Sequence, residues 1–386
     1  MKTLRNLKKH LPKIYLVLIV VLILIAGALS AQPLREKEPS DNQSIMLALL
    51  LDTSNSMDGL IDQAKSQLWK IVNELAAAKC VDGKKPNIKI ALYEYGNDGL
   101  PSSEGYIRLV SPLTTDLDVI SEKLFALKTN GGNEFCGHVI KKSLVQLDWS
   151  SSRADLKLIF IAGNEPFTQG SVSYQTACSL AKEKGVVVNT IFCGDFNEGI
   201  STQWKSGADL TGGSYMSIEQ DRRTVYVPTP YDDKIDALNT QMNETYVYYG
   251  KSGVSKKEMQ ATQDSNAEVY GKANKVDRAV SKSSHAYKNS TWDLVDAAKD
   301  NEKVVADAKE EDLPKEMKGM SVDKRKEYVK QKSSERQRIQ SEIQSLNKKR
   351  QEYIATHTPK EQGSMLDDVM IKAIQEQAKT KNLTWK

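Results

Sequence analysis

The chain has 386 residues, of which 39% are hydrophobic and 27% charged, with a formal charge of +4. That length accommodates one sizeable core plus a further segment. The small net charge, with no basic stripe interleaved with aromatics, excludes nucleic acid as the expected partner. Charge is spread unevenly, because Lys, Glu, Gln, Ser and Asn dominate after about residue 250.

At the start, Lys2, Arg5, Lys8, Lys9 and Lys13 precede an unbroken apolar run over 14–29. This is the charged and apolar pattern of an export signal, and Ala28 and Ser30 offer a cleavage site. The run is also close to the roughly 18 residues that span a bilayer, so residues 1–31 read as a signal peptide or an uncleaved transmembrane anchor. In either case the basic flank stays inside and the rest of the chain is expected outside the cytoplasm, held to the membrane only if the segment is uncleaved. No cysteine follows the run, so a lipid-modified N-terminus is not indicated.

A polar linker over 32–43 leads into alternating strands and helices. The apolar run 44–51 ends at Asp52 and reads as a buried parallel strand. Apolar residues at helical spacing over 60–78 predict a helix, 88–95 a strand and 106–109 a short edge strand. Helices follow over 117–127 and 138–147, a buried strand over 156–162, a helix over 174–184 and a strand over 186–192. A helix over 204–210, a short strand over 214–218 and a helix over 232–242 close the pattern. Strands regularly separated by helices predict an α/β fold with a doubly wound, mostly parallel sheet, over residues 44–248. Ligands of such sheets bind at the carboxyl ends of the strands near the reversal of strand order, and Asp52 ends the first strand.

Beyond this domain, residues 249–386 read as a charged α-helical extension, with helical stretches over 260–287, 292–309 and 321–354. Ile339, Ile343, Leu346 and Tyr353 suit a short coiled-coil seam, with a solvated hairpin or partly disordered stalk as the other reading. Residues 365–378 are amphipathic, with Met365, Leu366, Val369, Met370, Ala373 and Ile374 on one face that would dock on the domain or on a partner.

The cysteines are Cys80, Cys136, Cys178 and Cys193, which allow three disulfide connectivities. The helix holding Cys178 descends from the top of the sheet and the next strand returns at Cys193, so this pair is the preferred bridge. All four as small buried hydrophobes is the alternative.

The run Asp52-Thr53-Ser54-Asn55-Ser56 carries the functional expectation. A hard divalent cation needs oxygen ligands at short range, and a tight loop after a strand places the Ser54 and Ser56 hydroxyls on one side of an ion whose charge Asp52 balances. With a buried strand before it and an amphipathic helix after it, the run resembles the metal-ion-dependent adhesion motif of the von Willebrand factor A family, over about residues 44–245. The resemblance implies a bound divalent cation (Mg²⁺ first, Mn²⁺ or Ca²⁺ as alternatives) and an open coordination position for a carboxylate of a protein or extracellular ligand. It implies a binding or adhesion module and no enzyme.

Two loops depart from that family. A Gly-Gly pair occurs in Thr129-Asn130-Gly131-Gly132-Asn133-Glu134, but Asn133 or Glu134 fills the place of the family's metal-binding Thr. Glu134 would be an oxygen ligand or, equally, a helix N-terminal carboxylate. In Ile161-Ala162-Gly163-Asn164-Glu165, Gly163 stands where the family has Asp, and Asn164 or Glu165 would substitute from shifted positions. No nucleophile elbow, phosphate loop or zinc-hydrolase motif occurs, and His138 reads as packed or facing the site. Residues 313–321 and the charged helix after them look like tails of exported bacterial proteins with this domain, which places the chain in a periplasm or makes it secreted. The competing expectation is a scaffold or assembly factor acting through its helical tail, with a degenerate metal site.

Overall fold

A computed structural model describes residues 43–357 and 365–385 of the chain. The expected signal or anchor over 1–31, and all of the linker but its last residue, lie outside the described residues. Among the described residues no helix is long and apolar enough to cross a membrane.

Six strands form one sheet in the order β3-β2-β1-β4-β5-β6. They are β1 (Ser44–Asp52), β2 (Asn87–Tyr95), β3 (Ile107–Thr114), β4 (Leu156–Gly163), β5 (Val187–Phe192) and β6 (Tyr215–Ser217). All neighbours pair in parallel except β3, which runs antiparallel to β2 at the edge. The order reverses between β1 and β4, which places the carboxyl ends of these two strands at the crevice where such sheets hold ligands.

β1 is buried along its whole length, as a central parallel strand covered on both faces must be. Its alternate residues feed two cores. Ile45, Leu47, Leu49 and Leu51 share one core with α1 (Asp58–Ala77) and with Ile90, Leu92, Leu158 and Phe160. Ala48 and Leu50 share the other with Tyr93, Tyr95, Ile159 and Ile161 under α3 (Cys136–Gln146) and α4 (Tyr174–Glu183), whereas α2 (Leu117–Phe125) sends Leu117, Ile120 and Leu124 into the first. Two short helices, α5 (Phe196–Ser201) and α6 (Trp204–Asp209), precede β6.

The rest of the chain forms α7 (Asp232–Asn243), α8 (Gly253–Val269), α9 (Lys272–Lys282), α10 (Leu294–Asp300), α11 (Lys303–Asp307), α12 (Val322–His357) and α13 (Leu366–Lys379). α7, α8, α9, α12 and α13 send residues into the core of the sheet domain, α10 and α11 pack against α12 in a smaller cluster, and the described residues form one compact unit. The expected stretch over 260–287 breaks at Gly271, whose φ of 98° suits only glycine, and the stretch over 292–309 breaks after Asp300.

Neither a coiled-coil seam nor a solvated stalk describes α12. Ile339 and Ile343 are fully buried in the same core as α1, and Leu346 packs against it. Buried arginines fasten the helix at two points. Arg336 donates to Asp293 Oδ2 (2.6 Å), Asp296 Oδ1 (3.2 Å) and Thr245 Oγ1 (2.9 Å), with its guanidinium 3.9 Å from the centre of the Tyr246 ring. Arg350 donates to Asp232 Oδ1 (3.0 Å) and Asp277 Oδ1 (2.6 Å). The apolar stripe that suggested a partner helix is therefore used inside the molecule.

The amphipathic last helix docks on the domain, and it, more than α7, completes that core. Leu366, Met370, Ala373, Ile374 and Ala378 lie in the core beside α1. The orphan N–H groups at its start are satisfied by two buried side chains of α1: Leu366 N–H donates to Gln63 Oε1 (3.0 Å) and Asp367 N–H to Gln67 Oε1 (2.8 Å). Past its end, Lys79 and Thr384 exchange backbone hydrogen bonds of 2.8 and 2.9 Å.

No disulfide joins Cys178 to Cys193. All four cysteines are free thiols, and these two belong to different cores on opposite faces of the sheet. The expected descent of the helix and return of the strand is real, but strand alternation turns the Cys193 side chain away from α4. Cys178 instead donates its S–H to Gly207 O (3.4 Å).

Candidate metal centre

The site forms at the carboxyl ends of β1, β2 and β4. After Asp52 the chain turns sharply. Thr53 N–H donates to Tyr95 O (2.8 Å), and Ser54 N–H turns back to Asp52 Oδ1 (2.7 Å), while the carboxylate's other oxygen lies toward Gly163. The Ser54 and Ser56 hydroxyls then lie 3.2 Å apart and share a hydrogen bond. Asn164 Nδ2 donates to Ser56 Oγ (3.2 Å), so β4's end meets β1's loop. Gln220, in the segment after β6, donates to Ser56 O (3.0 Å) and holds the loop from the other side.

The second loop is pinned to the first by Asn130 N–H, which donates to Thr53 O (2.9 Å). That docking brings Glu134 close to the Asp52 carboxyl and the Ser54 hydroxyl. Gly96 shows how tight the fit is, since a Cβ there would lie 2.6 Å from Glu134 Cγ and 2.7 Å from Asp52 Oδ1. Glu134 N–H donates to Gln169 Oε1 (3.1 Å), which fixes the residue's backbone.

Both carboxyls are out of water, with Asp52 0% and Glu134 5% exposed. Burial first, and then the neighbouring Glu134 charge, pushes the Asp52 carboxyl well above the ordinary carboxylate range; burial also raises Glu134. Asp52 Oδ2 and Glu134 Oε2 are buried with no hydrogen-bond partner. Two adjacent buried carboxyls with free oxygens, beside two hydroxyls, make a donor set of hard oxygens. This set fits a small divalent cation. Among the described residues no cluster of three or more His, Cys, Asp or Glu is placed for a metal, so hydroxyls, water or a partner must complete the shell.

Four of the expected site residues, Asp52, Ser54, Ser56 and Glu134, converge, and Asn164 joins them through Ser56. Glu165 does not bring its carboxylate to them. Its Oε2 accepts from Gln169 Nε2 (3.1 Å), and only its backbone N–H reaches Glu134. Thr129 is held by Asp58 at the start of α1, and His138 packs against the Phe135 ring (centroids 5.5 Å apart).

The absent third-loop carboxylate has a steric explanation that the sequence alone did not reveal. A Cβ at Gly163 would lie 2.5 Å from Tyr95 Oη and 3.0 Å from Asp52 Oδ2, so a side chain there has no room. Tyr95 donates its hydroxyl to Ala162 O (3.0 Å) and fills that space. Tyr95, Gln169 and Gln220 were not foreseen. Only Tyr95 left a signal, a polar aromatic at the end of the strand beside β1.

A doubly wound sheet with Asp-x-Ser-x-Ser at the end of its central strand defines an open α/β domain with a candidate cation site at the reversal of strand order. Residues 47–202 match the family model of the von Willebrand factor type A domain, and with the sheet order this supports a domain of that type within the chain. Such domains are typically interaction modules. No curated protein matches the chain in sequence. Among solved structures the chain is similar to the conserved hypothetical protein BatB from Bacteroides thetaiotaomicron, at 16% identity over 45% of this chain and 90% of that one, with a TM-score of 0.35. It is similar to the SpRpn10 VWA domain at 16% identity, 45% and 88% coverage and a TM-score of 0.33. It is also similar to proximal thread matrix protein 1 of the mussel byssus, solved with zinc in its MIDAS motif, at 13% identity, 47% and 43% coverage and a TM-score of 0.34.

Proposed function

We propose that the domain is a cation-dependent protein-binding module. The observation that carries this reading is the pair of buried, unpartnered oxygens, Asp52 Oδ2 and Glu134 Oε2, beside the Ser54 and Ser56 hydroxyls. Asp52, Glu134, Ser54 and Ser56 would hold the ion, Mg²⁺ or Mn²⁺ before Ca²⁺ because the cage supplies few protein oxygens. A bound cation supplies a Lewis-acid position at the rim, to which an oxygen of the partner adds. The chain's own part is to hold the loops rigid: Asn164 and Gln220 orient Ser56 from two sides, and Asn130 and Gln169 fix the Glu134 loop.

Calorimetric titration of Mg²⁺ and Mn²⁺ into the full chain is expected to show saturable binding. The double variant Ser54→Ala, Ser56→Ala should bind at least about tenfold more weakly, since two ligand oxygens are lost while the fold's apolar cores are untouched. Equal binding by parent and variant would remove the site from this loop. The scaffold reading loses its main support because the apolar stripe of α12 is buried within the molecule. We place the chain outside the cytoplasm on the strength of its basic and apolar N-terminal pattern. Protease added to intact cells with a permeabilised outer layer should then digest it, and full protection would overturn that placement.

A further inference from the structure

The partner's chemistry follows from the charge of the site, and the argument rests on the cation-dependent reading above. Asp52 and Glu134 share one buried spot, both against Gly96, and each has an oxygen with no hydrogen-bond partner among the described residues. A divalent ion placed there meets two negative charges from the chain itself. The bound ion is then neutralised before any partner arrives.

The surroundings add to this. Four loops border the carboxyl pair, 52–58, 96–99, 129–135 and 163–169; the segment of Gln220, which also carries Arg222, meets the first of them at Ser56 O. The four loops are joined by the hydrogen bonds Asn130 to Thr53, Asp98 to Gly131, Asn164 to Ser56 and Glu134 to Gln169. They carry Asp52, Asp58, Asp98, Glu134 and Glu165, and they contain no Lys, Arg or His. Asp98 is exposed and Glu165 half-buried, so both project negative potential at an approaching group. A third carboxylate would leave the ion shell with a net negative charge in a poorly solvated spot, against this field. An amide or backbone carbonyl, or a hydroxyl, adds an oxygen without that repulsion, and lysines or arginines around it would be attracted by the rim.

We propose that Glu134 is a second, direct carboxylate ligand that makes the bound cation charge-neutral, so that this site takes an uncharged oxygen presented by a basic protein surface. The carboxylate expected from the family resemblance is thereby replaced by one the chain supplies itself.

Mn²⁺ is the probe, and the full chain is the protein. Calorimetry should show Mn²⁺ affinity falling at least about tenfold in Glu134→Gln. Metal-free Glu134→Gln should melt no lower than the parent, because one of two adjacent buried carboxyls has become a neutral amide, and its Mn²⁺-induced rise in Tm should shrink. Water-proton relaxation by the bound Mn²⁺ then reports what enters its shell. Added acetate should leave the parent's relaxation unchanged and should lower it in Glu134→Thr, where the ion keeps a net positive charge. Acetate entry into the parent's Mn²⁺ shell would overturn the proposal without needing any variant to fold well, and so would unchanged Mn²⁺ affinity in a folded Glu134→Gln. If the parent binds no Mn²⁺, the cation-dependent reading fails along with this one; if it binds but ignores Glu134, this one fails alone.

Discussion

Deleting the chain from residue 365 onward is expected to destabilise the whole domain, not merely to trim a tail. Leu366, Met370, Ile374 and Leu383 are all buried in the core shared with α1 and the sheet. Burial of each such side chain contributes about 1.5–3 kcal/mol. Their combined loss is of the order of the entire net stability of a domain, about 5–15 kcal/mol, even after the entropy gained by freeing the helix is allowed for. The deletion also strips hydrogen-bond partners from Gln63 and Gln67, which are buried in α1. Thermal melting followed by circular dichroism should show the transition lost or greatly lowered and broadened, with the protein prone to aggregate. Single variants grade the effect: Met370→Ala or Ile374→Ala should each cost about 2–5 kcal/mol in chemical denaturation. A truncated protein melting within a few degrees of the parent would show that the last helix is an accessory.

Asp264→Asn is the second substitution with a large expected effect. Asp264 sits between two fully buried cations, accepting from Arg278 Nε at 2.5 Å and from Lys282 Nζ at 2.9 Å. Arg278 also donates to Asp118 on α2 (2.9 Å) and lies 4.6 Å from the Trp69 ring on α1, so this cluster joins the extension to the sheet domain. The asparagine would leave two buried cations facing one carboxylate. Breaking such a network costs about 3–5 kcal/mol, far more than its net contribution over an apolar replacement. The charge also predicts a pH dependence. Lys282 and Arg278, working against burial, hold the Asp264 carboxyl well below the usual carboxylate range. A depressed carboxylate contributes stability that is present above its unfolded pKa of about 4 and lost as pH falls through the folded value. Urea unfolding should therefore show the parent losing stability below about pH 4 more steeply than Asp264→Asn. Parallel acid profiles would sink the assignment.

The elements of the sheet domain were legible because their causes are local. The all-apolar run ending at Asp52, the helical spacing from Leu60 to Leu75, and the later apolar runs each state a periodicity that needs no knowledge of the rest of the chain. The Asp-x-Ser-x-Ser loop was legible for the same reason, since a strand end and a helix start bracket it. Glu134 and Asn164 were nameable as candidates because the Gly-Gly pair and the end of β4 mark their loops, but which carboxylate would reach the ion was not. Glu134 and Glu165 look alike in sequence. Gln169 separates them, holding the carboxylate of one and only the backbone of the other.

By itself, then, the sequence determined the doubly wound order of elements and the position of the candidate cation loop, because hydrophobic period and turn chemistry act over a few residues. Only the tertiary structure decided the rest. Strand alternation sent Cys178 and Cys193 to opposite faces, Tyr95 took the room that a side chain at residue 163 would need, and Asp52 and Glu134 met as a buried pair. The helical extension became part of the fold because its sparse apolar residues and its buried arginines find partners distant in sequence: Ile339 the core around α1, Arg336 Asp293, and Arg350 Asp232. Those contacts form when closing the chain brings such residues together, and no local period announces them.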